Sequence, residues 1–527
     1  MTDRGYNVVI FVGKVDARFY EHVLAPFSIH TCISVCKKKE FMPHLHTAKH
    51  LWRYSHALDD IDWNTVLPLD EELIESMREC EAIFLHLSDR HEQRGSVIPY
   101  QERKRRYLQT LRYCNHILVN EHIDLFLSTS VPHLGISYTF YALCKQKGIP
   151  VLFPYHVDPL PDAFFIQDTW EDPSPMLRDH FHALRQKEKN LSELSLSPPF
   201  EQYWQLQTQG APLTPLHSKE GEGTSRDESE RNPRQNAIRP PDPRPWYLTY
   251  HRTTDWERWC KSVSELLFHH PLRFLWHVLT YLPRRLRLAL LRDRLQRTLC
   301  YRRARATFHF YDVRAQEPDL SKRYLYVPLM MQPECTSVPM GGAYGNQELL
   351  VQMLNALLPE GVLLYVKEHP MQRKAFADGR CRSQTFYEDL LACKRVRFVP
   401  THFDSYRLVE NAAAVATVTG TVGIEALFRE KPVLMFGHRY IQYASGVFAI
   451  RTKEDCQRAL DRIFKGGEKP ARSDVRLFLK AIEETCVQAT VGFERLRVSR
   501  FSPEENARRA GEAFAAEIER RLAWHRL

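Results

Sequence analysis

The sequence predicts an α/β protein of two doubly wound, Rossmann-like units, with a disordered polar linker and a basic helical insertion between them. Three observations predict it. Short β-rich apolar runs alternate with helical patterns over the first 170 residues, the same rhythm returns from Arg323, and the composition changes twice in between. Strand, helix, strand at this spacing pairs strands in parallel. The runs also lack polar alternation, as strands buried on both faces do. The predicted boundaries are 1–170 for the N-terminal unit, 171–254 for the linker, 255–310 for the basic helices, 311–480 for the C-terminal unit and 481–527 for terminal helices.

The bulk numbers agree with this. At ~150 residues per domain, 527 residues make about three units. An apolar content of 43% with 26% charged residues excludes a wholly disordered chain and a polytopic membrane protein. The longest apolar runs fall short of the ~18 residues of a membrane span, and Val8–Val12 is too short for a secretory core and reads as a strand. Twelve cysteines include no C-x-x-C pair, which fits reduced, buried thiols of a cytoplasmic protein better than a disulfide or zinc framework.

In the N-terminal unit, Asn7–Gly13 and Ile29–Cys36 read as strands, Asp70–Cys80 as a helix and Ala82–Leu87 as the next strand. A helix over Tyr100–Glu121, a strand over Asp124–Thr129, a helix near Ile136–Lys147 and a strand at Pro150–Phe153 follow. Ser218–Arg244 has balanced charge and almost no apolar residues, the mark of a flexible segment. Between Asp255 and Ala306 there are 12 Lys and Arg against 4 Asp and Glu, so +8 of the chain's net +9 lies there. That stretch reads as helices broken at Pro271 and Pro283. It is either a hairpin packed on its own protein or an interfacial helix with arginines toward an anionic membrane surface. No nucleic-acid motif accompanies the charge. In the C-terminal unit, strands are expected at Tyr324–Met330, Val362–Lys367, Val396–Val399, Ala414–Val418 and Pro432–Phe436. Helices are expected at Asn346–Leu357, Asp404–Asn411 and Val422–Phe428, with a last one over Pro503–Leu527.

Open α/β sheets bind ligands beyond the carboxyl ends of their strands. Three such ends carry polar and glycine residues. Met331-Gln332-Pro333 leads to Gly341-Gly342, where backbone can approach a ligand closely. Lys367-Glu368-His369-Pro370 ends a strand on a histidine able to donate to a phosphate. Thr417 to Glu425 (TVTGTVGIE) joins a strand to a helix start, which favours anions. There Thr419, Gly420 and Thr421 would hold phosphate and Glu425 a ribose. No P-loop is present. Together the three ends describe a pocket for a nucleoside mono- or diphosphate.

The order Q-P, K-x-H-P, T-G-T-x-G-x-E-A-L, K-P-V-L-x-F-G resembles the capsule polysaccharide biosynthesis family, which includes Kdo transferases, over about residues 323–440. The resemblance implies a GT-B glycosyltransferase, two domains facing across a cleft, with a CMP-activated acidic sugar as donor and a glycan or lipid-linked acceptor. It needs no cofactor or obligatory metal. Carried over, His369 with Pro370 and Lys367 would bind the donor phosphate, Thr419, Gly420 and Thr421 would complete that site, Glu425 would bind ribose, and Gln332 would line the donor side. The catalytic base would come from the N-terminal unit, with Asp89, His133 and Asp158 (beside His156) as candidates. A cytoplasmic protein, peripheral at the inner face of the plasma membrane, is the implied location. A CDP-glycerol-type alditol-phosphate transferase and an inactive scaffold of polysaccharide assembly are the competing readings.

Overall fold

The computed structural model describes residues 9–12, 31–34, 61–88, 98–158, 160, 162–187, 194–208, 288–375, 381–496 and 499–525. In the N-terminal unit, β1 (Val9–Val12) pairs in parallel with β2 (Thr31–Ser34). Helices α1 (Glu71–Ser76), α2 (Arg78–Ser88) and α3 (Tyr100–Asn120) follow. Asp70 caps α1 by accepting from the Leu73 N–H at 2.8 Å. Next come β3 (Phe126–Leu127), α4 (Gly135–Gln146), β4 (Val151–His156) and β5 (Phe164–Gln167), with β3 parallel to β4 and β5 antiparallel to it.

One predicted strand is a helix. Ala82–Leu87 lies inside α2, where Cys80, Phe84 and Leu87 are buried at the i, i+4, i+7 spacing of a helical stripe. A short apolar run has no periodicity of its own to separate the two forms, and here the flanking residues supply the helical period.

The first part of the expected flexible linker is also helical. Helices α5 (Pro175–Lys187) and α6 (Pro198–Thr208) bury Leu177 with Phe181 and Phe200 with Tyr203. Mean polarity over the long stretch hides these narrow apolar stripes. Residues 209–254 lie outside the described residues. So does most of the basic segment: its described part is α7 (Leu288–Asp312), which buries Ala304, Thr307, Phe308 and Tyr311 against the C-terminal unit and exposes Leu295, Leu299, Arg302, Arg303 and Arg305. Over 304–311 this helix packs on the protein itself.

The C-terminal unit runs through β6 (Tyr324–Pro328), α8 (Gln347–Leu357), β7 (Leu363–Lys367), α9 (Pro370–Ala375) and α10 (Gln384–Ala392). It continues with β8 (Val396–Val399), α11 (Ser405–Asn411), β9 (Ala414–Thr417), α12 (Val422–Leu427), β10 (Val433–Met435), β11 (Val447–Ala449) and α13 (Lys453–Phe464). All six strands are parallel, in the order β11-β10-β9-β6-β7-β8. Counted in order of appearance this is the 3-2-1-4-5-6 arrangement of a doubly wound nucleotide-binding sheet. Apolar cores lie on both faces: Leu364 and Val366 of β7 point into one, Tyr365 into the other.

The chain then returns to the N-terminal unit. Helix α14 (Arg472–Thr485) packs on α5, with Phe478 and Phe181 ring centroids 5.1 Å apart, and Glu484 pairs with His180 at 2.6 Å. Burying such side chains contributes about 1.5–3 kcal/mol each. Beyond α15 (Phe493–Leu496), α16 (Pro503–His525) also reaches back, through Arg521 to Asp168 at 2.7 Å and Phe514 stacked on Phe164. No helix among the described residues is long and apolar enough to cross a membrane.

Candidate active site

The switch point of the six-stranded sheet falls between β6 and β9, where strand order reverses and the two following connections diverge. The segments after β6, β7 and β9 are the three singled out by sequence, so the fold brings all three to one edge.

After β7, successive residues point to opposite faces. The Lys367 amine is buried and donates to the Phe403 carbonyl at 2.5 Å and the Ser405 hydroxyl at 2.7 Å. Burial lowers its pKa to about 8. It therefore fastens the start of α11 through two of its three N–H donors. Glu368 turns to the other face and is fully buried with Arg382: Oε2 accepts from Arg382 Nε at 2.6 Å and from the Tyr387 hydroxyl at 2.6 Å. Its Oε1 accepts the His369 N–H at 2.7 Å. Burial alone would raise the Glu368 pKa, but the arginine and these donors hold it below the ordinary carboxylate value.

His369 follows, and Pro370 opens α9 as the first helical residue, where a missing N–H costs nothing. His369 Nδ1 accepts from the Met371 N–H at 3.1 Å. In the neutral ring this geometry puts the proton on Nε2. Burial lowers the imidazole pKa to about 4, so the ring is neutral at physiological pH and presents an N–H donor.

After β6, Gln332 is a brick in a buried polar network and not an open lining residue. Its Nε2 donates to Gly345 O at 2.6 Å, its Oε1 accepts from Gln347 Nε2 at 2.8 Å, and its backbone exchanges two hydrogen bonds with the Gln372 side chain at 2.8 and 2.7 Å. The Gly341 close approach is likewise to its own chain: a Cβ there would lie 2.3 Å from Ser337 O and 2.9 Å from Val418 Cγ1.

After β9, the turn is tightly bonded within itself. The Gly420 N–H donates to Thr417 Oγ1 at 3.0 Å. The Thr419 hydroxyl donates to Thr336 O at 2.6 Å, and the Thr419 carbonyl accepts from Arg439. The Thr419 proton is thus directed to a protein oxygen. Glu425, one turn into α12, is buried, and that burial is the main cause pushing its pKa up. Helix α12 is only six residues long, so its dipole adds little to anion binding.

Of the three base candidates, Asp89 lies outside the described residues. Asp158, just past β4, is clamped: Arg495 reaches Oδ1 at 2.8 Å, Arg439 reaches Oδ2 at 3.4 Å, and the Tyr440 hydroxyl donates to its carbonyl at 2.7 Å. The two guanidinium groups outweigh burial and lower its pKa. A carboxylate so stabilised is a weak base and ties the two units together. His133, in the segment between β3 and α4, has Nδ1 donating to Val131 O at 2.5 Å, which leaves Nε2 as the basic nitrogen. Sequence reasoning missed Arg382, Arg439 and Arg495. No motif marks them; each is identified only by the buried carboxylate or carbonyl it meets.

Residues 285–454 match the family model described as capsule polysaccharide biosynthesis protein. No curated protein matches the chain. Among solved structures, similarity is found to the UDP-GlcNAc 2-epimerase from Methanocaldococcus jannaschii, 14% identical over 34% of this chain and 50% of that one, with a TM-score of 0.22. It is found also to Thermosulfurimonas dismutans KpsC, a beta Kdo 2,7 transferase, 17% identical over 39% of this chain and 59% of that one, with a TM-score of 0.23. The match thus spans about half the length of these structures. The segment 285–454, which holds Gln332-Pro333, His369-Pro370 and Thr419-Gly420-Thr421, is therefore where this chain matches the capsule polysaccharide biosynthesis proteins, in agreement with the resemblance carried by those motifs.

Proposed function

We propose that this protein is a glycosyltransferase of surface polysaccharide synthesis, transferring an acidic sugar such as Kdo from a CMP-activated donor to a glycan or lipid-linked acceptor. The observation that carries this reading is His369: its Nδ1 accepts the Met371 N–H, which leaves the ring proton on Nε2, just past the carboxyl end of β7, one strand out from the switch point. The acceptor oxygen bonds to the anomeric carbon as the bond from that carbon to the phosphate oxygen breaks, and CMP leaves. His369 Nε2–H donates to the phosphate oxygen that gains charge. His133 Nε2 takes the acceptor's proton. The charge is met by a protein donor, so transfer is expected to persist in EDTA. The exposed Arg302, Arg303 and Arg305 of α7 suit an anionic lipid surface, which co-sedimentation with anionic against zwitterionic vesicles tests.

Thermal stabilisation by CMP, CDP, UDP and GDP, on wild type and His369→Ala, tests the donor. A ligand bound only by the folded state raises stability with saturation. The expected result is a shift with CMP that the variant loses. A shift only with CDP turns the reading to alditol-phosphate transfer, a shift only with UDP or GDP changes the donor, and no shift with any nucleotide favours a scaffold.

A further inference from the structure

The buried guanidinium of Arg382 joins pieces that the sequence keeps far apart. Besides Glu368, it donates through Nη1 to Gln332 Oε1 at 2.5 Å and to Cys381 O at 2.9 Å, and through Nη2 to Met330 O at 2.8 Å. One side chain therefore ties the segment after β6 to the segment after β7. Glu368 passes the tie on, because the same carboxylate that faces Arg382 accepts the His369 N–H. Tyr387 closes the cluster from α10, and the Tyr311 hydroxyl at the end of α7 accepts the Glu368 N–H at 2.9 Å. Both charged side chains are wholly inaccessible, with 0% exposure each.

A buried ion pair is seldom retained for stability alone, since an apolar pair of similar volume often does as well. What it adds here is direction. Every Arg382 donor has a fixed acceptor, and a planar fork holds such partners in a way a lysine point charge does not. We propose that Arg382 is a positioning residue for His369. Acting through Glu368, it fixes the backbone at 369 so that Nδ1 meets the Met371 N–H and Nε2–H is aimed at the ligand. The ligand-binding half of this inference rests on the function proposed above; the ring-orienting half does not.

The test uses Arg382→Lys, which keeps the charge and loses the fork, in the full chain. A second variant, Glu368→Leu with Arg382→Met, removes both charges and so avoids an unpaired buried one; unfolding melts check both. The first readout is the ¹⁵N spectrum of the His369 ring, identified by its loss in His369→Ala. The wild type should show a single Nε2–H tautomer, and a folded variant should show a tautomer mixture with a raised pKa. An unchanged ring spectrum overturns the proposal. The second readout is CMP affinity in a double-mutant cycle. Arg382→Lys should weaken CMP at least about tenfold when His369 is present and less than about twofold in His369→Ala. Equal losses in both backgrounds overturn action through His369. A changed ring with no CMP binding by the wild type upholds the positioning and refutes the nucleotide reading instead.

Discussion

Glu368→Ala should destabilise this protein severely, and the structure supplies the size of the effect. The carboxylate is wholly inaccessible and is the only anion within hydrogen-bond distance of Arg382 among the described residues. Removing it leaves a buried cation without its counter-charge, which costs about 3–5 kcal/mol. A surface pair in the same chain sets the opposite limit. Glu505 and Arg508 on α16 meet at 2.9 Å, with side chains 35% and 54% exposed, and Glu505→Ala should leave stability nearly unchanged. Urea unfolding followed by circular dichroism compares the two. The Glu368→Ala midpoint should fall with the slope unchanged. The pH dependence has a definite sign. Because the folded Glu368 pKa is lowered from 4.5, its stabilisation is fully present above that value and is lost as pH falls through the lower folded one. The gap between wild type and variant should therefore narrow only in acid. A loss below about 1 kcal/mol near neutral pH would refute the claim that the pair is an isolated buried unit.

Other outcomes follow from the same geometry. Gly420→Ala would place a Cβ 2.7 Å from Thr417 Oγ1 and 3.1 Å from Met330 Sδ; nucleotide-dependent thermal shifts should weaken more than the melting temperature falls, and an unaltered shift would count against a ligand at this turn. Burial lowers the pKa of His156 to about 3 and that of His369 to about 4. A histidine kept neutral by the fold stabilises above its unfolded pKa of 6.5, and that stability is lost as pH falls toward the folded value, by at most about 1.4 kcal/mol per pH unit for each group. His156→Phe should flatten the fall in melting temperature between pH 6.5 and 4, and an unchanged slope would refute this. For the base, His133→Ala should lower kcat with KM little changed. Asp158→Asn should instead loosen the docking of the two units and speed limited proteolysis, because Arg439 and Arg495 lose their shared anion; the reverse pattern would restore Asp158 as the base.

The pattern of residues along the chain determined much of this. The strands of the C-terminal sheet through β10 lie within the runs read from sequence, because a strand buried on both faces must be apolar throughout and a turn beyond it must be polar or small. The same logic placed Gln332, His369 and Thr419 to Thr421 near strand ends, and ligand crevices of doubly wound sheets lie there. Local pattern failed where a signal was diluted or ambiguous. The stripe of Cys80, Phe84 and Leu87 outweighed a six-residue apolar run, and α5 and α6 were submerged in a polar average.

Tertiary structure alone decided what each polar group does. Thr419 and Lys367 have the chemistry of phosphate ligands, yet the fold spends the Thr419 proton on Thr336 O and the Lys367 amine on Phe403 O and Ser405. Asp158 has the chemistry of a base until two arginines from distant parts of the chain meet it. Arg382 has no motif at all, and the role proposed for it exists only because the segments after β6 and β7 converge on one buried guanidinium. Hydrogen-bond commitment and pKa depend on which groups share a low-dielectric space, and that is set by long-range packing, which leaves no local trace in the order of residues.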